Sequence, residues 1–160
     1  MKKSKLLILI LSGILYIGLM VFFTMKCLET GEESTESSNT VAKIVQNVLN
    51  TLFNAHIELT DNYLRLIRKL IGHFGYFACL GIVSIIFYLN LPIKLNIRII
   101  LHYIIALIFA FSTEFLLEGS TDGRSASIND VLIDYSGFIL ISSIILIIYI
   151  INVKRSKKVS

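Results

Sequence analysis

Glu114-Phe-Leu-Leu-Glu118-Gly-Ser-Thr-Asp122-Gly123-Arg124-Ser-Ala-Ser127-Ile-Asn-Asp130-Val-Leu-Ile-Asp134-Tyr-Ser-Gly137 sets five carboxylates and one arginine between two strongly apolar runs. An ionisable side chain costs on the order of 2.5 to 3.5 kcal/mol at a bilayer centre and less near an interface, so such groups pair or face a wet cavity. The stretch reads as a charged turn between two membrane-spanning helices, and as the functional centre of the chain.

Composition agrees. The 160 residues are 55% hydrophobic, with one proline and no tryptophan, and their mean hydropathy of +0.77 is too high for a soluble domain of this size. The net charge of +4 is scattered over separate loops without a basic stripe, which argues against a nucleic-acid partner. Cys27 and Cys79 show no CxxC or zinc-ligand spacing, and no structural disulfide is expected.

Outward from the charged turn, apolar runs at Leu6 to Met25, Leu70 to Leu91, Ile97 to Leu117 and Val131 to Ile151 are each about 20 residues, enough to cross a hydrocarbon core. The first run ends in Phe22-Phe-Thr-Met-Lys-Cys27 without a small-residue cleavage signature, so it is read as a retained helix. Glu29 to Thr40 is acidic and rich in Ser and Thr, the composition of a mobile linker. After it, Val41, Ile44, Val45, Val48, Leu49, Leu52 and Phe53 recur at helical spacing opposite Lys43, Gln46, Asn47 and Asn50. That stripe predicts an amphipathic helix packed on the bundle or on lipid, with His56 beyond it in a solvated loop. Thr60 or Asp61 can cap the next helix.

The predicted fold is therefore an all-α, polytopic membrane protein of four transmembrane helices, with an extracytoplasmic amphipathic helix between the first and the second. Residues 1–25 form the first helix, 26–60 the acidic linker and amphipathic helix, 61–151 the main domain, and 152–160 a basic tail. Lys2, Lys3, Lys5, Lys94, Arg98, Lys154, Arg155, Lys157 and Lys158 are nine of the fifteen basic residues, and no acidic residue accompanies them in these segments. The positive-inside rule then puts both termini in the cytoplasm and the charged turn outside.

With that topology three i, i+4 pairs converge near the outer boundary: Lys69 with His73, Glu114 with Glu118, and Asp130 with Asp134. Arg124 joins them from the loop. One reading is a pocket for a polar headgroup or a lipid-linked wall precursor, bound by Lys69, His73, Glu114, Arg124, Asp130 and Asp134, with Lys69 and Arg124 as anion contacts. A second makes the site an enzyme, with His73, Glu114 or Asp134 moving protons. A third makes the charges an ion-pair network that fixes the helices, helped by Gly75, Gly81 and Gly137. A divalent cation on Glu118, Asp130 and Asp134 lacks a ligand motif, and neither a metal nor a cofactor is expected. Arg98 and His102 lie roughly 18 Å or more along the helix from Glu114 and belong elsewhere, Arg98 snorkelling and His102 held by a hydrogen bond.

Arg68-Lys69-Leu-Ile-Gly-His73-Phe, Glu114, Asp122-Gly123-Arg124-Ser125-x-Ser127, Asp130-Val-Leu-Ile-Asp134 and Gly137 together resemble the VanZ-like family of small bacterial membrane proteins, over about Asp61 to Ile151. The family takes its name from a protein linked to teicoplanin resistance. The resemblance implies a multi-pass cell-envelope protein of the bacterial plasma membrane that influences glycopeptide susceptibility, without implying a reaction. The chain departs from the family pattern at Leu117, where glutamine is common, at Phe77, where tyrosine is usual with Tyr76 here beside it, and at Ile141, a frequent glycine.

Overall fold

The computed structural model of the protein describes residues 3–53, 58 and 60–159, so His56 lies outside the described residues. Those residues form helices joined by short turns and loops, with no strand among them. Four runs, Lys3–Cys27, Asp61–Asn90, Leu95–Ser120 and Ile128–Arg155, are long and apolar enough to cross a bilayer. Their outer faces expose Leu11, Ile17, Ile108, Leu132 and Ile147 among many others, as a bundle solvated by lipid does.

The first run is α1 (Lys3–Cys27), and α2 (Gly31–Phe53) follows after a short turn. The second run joins α3 (Asp61–Ile67), a π-helical stretch over Arg68–Gly75, and α4 (Tyr76–Asn90). Thr60 caps α3 by accepting from the Tyr63 N–H. Leu91 takes the extended conformation that a following proline imposes, and α4 stops there. The third run is α5 (Leu95–Ser112), a second π-helical stretch over Thr113–Leu117, and a 3-10 turn over Glu118–Ser120. The last is α6 (Ile128–Val159).

α4 is the central helix, packed on α6, α1 and α5. Phe77, Leu80, Tyr88, Ala106, Ala110 and Phe138 form the core it organises. Close approach of the second and fourth runs needs glycine on both. A Cβ on Gly81 would lie 2.9 Å from the Phe138 carbonyl oxygen, and one on Gly137 would strike the Phe74 carbonyl oxygen. Phe23 stacks on Tyr76, whose hydroxyl donates to the Leu19 carbonyl, tying α1 to α4. His102 is fully buried and bonded through Nδ1 to Ser84 at 2.7 Å, while Arg98 donates to the Leu89 and Ile93 carbonyls where α4 ends. Cys27 and Cys79 are both free thiols.

One expectation needs correction. The acidic stretch is not a separate linker: all of Gly31 to Thr40 belongs to α2. A capping box starts it, with the Thr30 hydroxyl accepting from the Glu33 N–H at 3.3 Å and the Glu33 carboxylate accepting from the Thr30 N–H at 2.9 Å. The Gly31 N–H donates to the Asp122 carbonyl at 2.9 Å, docking the helix start on the α5–α6 loop. Of the two places open to the apolar stripe, the bundle or lipid, the bundle is not the one it takes. Val41, Ile44, Val48, Leu52 and Phe53 stay exposed, and the small residues Ser34 and Ala42 make the buried contact instead.

Candidate functional site

The charged residues gather at one end of the bundle, where α1 ends and α6 begins. Lys69 and His73 are four positions apart, as are Asp130 and Asp134, so the second and fourth runs meet as two rungs. Lys69 Nζ lies 3.3 Å from Asp130 Oδ1, and His73 Nδ1 lies 3.1 Å from Asp134 Oδ1. The outer rung is partly solvated, whereas the inner one is buried. Both bases stand on the π-helical stretch, whose extra residue per turn displaces the side chains that follow it.

The third run contributes differently. Glu114, on the second π-helical stretch, is buried, and its carboxylate accepts from the Ser127 N–H at 2.7 Å. Ser127 opens α6, so Glu114 anchors the loop on which that helix starts. Glu118 pairs with Arg124, and both side chains are nearly buried at 7% and 6% exposure. The same guanidinium donates to the Lys26 carbonyl at 3.1 Å and the Cys27 carbonyl at 3.4 Å, joining the α5–α6 loop to the end of α1. Its Nε is buried without a hydrogen-bond partner among the described residues. Gly123 makes the turn possible with φ of +74°, a conformation that favours glycine.

Two cavities flank this wall of charge, each of about 290 Å³, close to the lower bound for ligand pockets of roughly 300 Å³. One is polar, with Arg65, Arg68, Lys69, Arg124, Glu118 and Asp130 around it. Four cations thus face two carboxylates. The other lies under α2, walled mainly by Phe22, Phe23, Val41, Ile67, Ile71 and Tyr76. Arg68, His73, Glu118 and Arg124 border both.

Of the six residues singled out from the sequence, Lys69, His73, Arg124 and Asp130 border the polar cavity, while Glu114 and Asp134 are behind the wall. Lys69 and Arg124, expected as anion contacts, already pair with Asp130 and Glu118. Of the four cations around the polar cavity, the two without an acidic partner among the described residues are Arg65 and Arg68, which the sequence reading did not place in the site. Their spacing of three on one helix face was the available signal. Among the described residues no three His, Cys, Asp or Glu side chains gather as a metal site. The Asp134 carboxylate fixes His73 through Nδ1, and Nε2 has no partner among the described residues. That arrangement leaves the second nitrogen able to accept or donate a proton.

Comparison with family models, with curated proteins and with solved structures finds no match to the chain.

Proposed function

We propose that this is a VanZ-like, multi-pass protein of the bacterial plasma membrane, with both termini cytoplasmic. Its charged end faces outward and binds an anionic lipid headgroup or wall precursor, through which it influences susceptibility to teicoplanin-type glycopeptides. The observation that carries the reading is the positive excess of the polar cavity, four cations against two carboxylates, with Arg65 and Arg68 left unpaired among the described residues. A guanidinium is suited to bidentate contact with phosphate or carboxylate. The motifs shared with VanZ-like proteins, and the concentration of cations in the termini and the turn at Pro92, support the family and the orientation.

The test is thermal unfolding in neutral detergent with glycerol 3-phosphate. A ligand at a hundred times its Kd stabilises by about 2.7 kcal/mol, so the wild type melts higher with ligand and Arg68→Ala does not. Equal shifts in both proteins would remove the site, and cells expressing Arg68→Ala should match cells without the protein in teicoplanin susceptibility. The second reading, an enzyme acting on a phosphate-bearing precursor, draws on the Asp134-held His73 beside both cavities. It requires turnover of such a substrate that His73→Gln abolishes while headgroup binding persists.

A further inference from the structure

The two cavities share four side chains, and their walls differ in kind. Arg68 borders both: on one side stand Arg65, Lys69 and Asp130, on the other Phe22, Phe23, Ile67 and Ile71. A soluble anion would use only the polar half. In the slot under α2, Lys26 pairs with Glu29 and Arg124 with Glu118, so Arg68 is the cation it has left for an anion. Phe22, Val41 and Ile71 line that slot while remaining 51%, 38% and 42% exposed, so its rim belongs to the surface that lipid covers. From there the exposed edge of α2 continues through Ile44, Val48 and Leu52. The Arg124 Nε, buried and without a hydrogen-bond partner among the described residues, belongs to a side chain 6% exposed that borders both cavities.

We infer that the ligand is an intact anionic amphiphile, its phosphate or carboxylate held at Arg65 and Arg68 and its hydrocarbon chain lodged in the slot between α1, α2 and the first π-helical stretch. This rests on the headgroup reading above and adds the tail to it. The chain enters from the bilayer past Phe22 and Val41, so the site is loaded sideways from lipid and not from water. α2 is then the roof of a chain-binding slot, which accounts for Ser34 and Ala42 holding it down while its apolar edge stays free. Arg68 faces the point where head and chain join.

The test uses the full chain in phosphatidylcholine nanodiscs with two probes, a lysophosphatidate and an uncharged monoacylglycerol, each carrying a diazirine midway along its chain. After irradiation, lysophosphatidate should label peptides spanning Ser34 to Val41 and Ile67 to Tyr76, and monoacylglycerol should not. Gly72→Leu fills the slot: Gly72 lines it, and a Cβ there meets only the Arg68 Cγ at 3.9 Å. This variant should lose the labelling yet keep the melting shift with glycerol 3-phosphate, and Val41→Phe on the exposed rim serves the same purpose if Gly72→Leu does not fold. Arg68→Ala should lose both. Labelling no stronger in these peptides than on the lipid-facing Ile104 and Ile147, equal labelling by monoacylglycerol, or labelling unchanged in the filled variants would overturn the tail slot. Arg68-independent labelling without any shift by glycerol 3-phosphate would instead overturn the headgroup reading beneath it. Dodecanoate and dodecyl phosphate, as competitors of labelling, separate a carboxylate from a phosphate head.

Discussion

Glu114 carries a buried carboxylate and gives it to one backbone N–H, that of Ser127. Glu114→Gln keeps an acceptor at that position, whereas Glu114→Leu strands the N–H, at a cost of about 1 to 3 kcal/mol. Melting in detergent should therefore fall clearly for the leucine variant and much less for the glutamine variant, with headgroup binding intact in the protein that remains folded. Arg68 is the opposite case, with no ion pair to lose among the described residues. Arg68→Ala should change ligand-free stability by no more than about 0.5 kcal/mol while removing the shift with glycerol 3-phosphate. The two substitutions separate residues that hold helices from residues that hold a ligand. The sequence grouped them together because charge and spacing mark an expensive position without naming the partner. Lys69 and Arg68 are adjacent in the chain, yet Lys69 points its charge at Asp130 and Arg68 borders both cavities.

At the scale of the element, α2 decides whether the slot has a roof. Thr30→Ala removes the hydroxyl that caps its first turn, a loss of about 1 kcal/mol, and amide-exchange protection over residues 31–37 should drop. The same turn responds to acid. The Thr30 N–H and hydroxyl hold the Glu33 carboxyl below the ordinary glutamate value of 4.5. A carboxyl lowered on folding stabilises the helix above that ordinary value and loses the effect as pH falls through the lowered one. Protection at residues 31–37 should thus decline selectively below about pH 4.5, and Glu33→Gln should abolish the dependence. The C-terminal half of α2 was legible from its apolar spacing. Its N-terminal half was not, since a polar segment carries no period, although Thr30 and Glu33 already spelled a capping box. The π-helical stretches had no sequence signal, because the spacing of apolar and charged residues does not register one extra residue in a turn.

For the whole molecule, four apolar runs and the parity of their turns were enough to bring Lys69, His73, Glu114 and Asp134 to one end. Which of them meet depends on how far the second and fourth runs interpenetrate, and Gly137 sets that. Gly137→Val would drive a methyl into the Phe74 carbonyl, part the two rungs and deplete monodisperse protein in size-exclusion chromatography. Gly18→Ala, whose new carbon meets nothing within 4 Å beyond its own helix backbone and chain neighbours among the described residues, should behave as wild type. The last consequence concerns time. The Gly31 N–H closes on Asp122, and the Arg124 guanidinium closes on the Lys26 and Cys27 carbonyls, partners 97 to 98 residues apart in the second case. During synthesis the first helix and α2 emerge long before the loop that latches them, so the roof has nothing to rest on until the third run has crossed. The pocket is a late product of biogenesis, and a nascent chain arrested before Asp122 would hold three of its four spans with none of the binding.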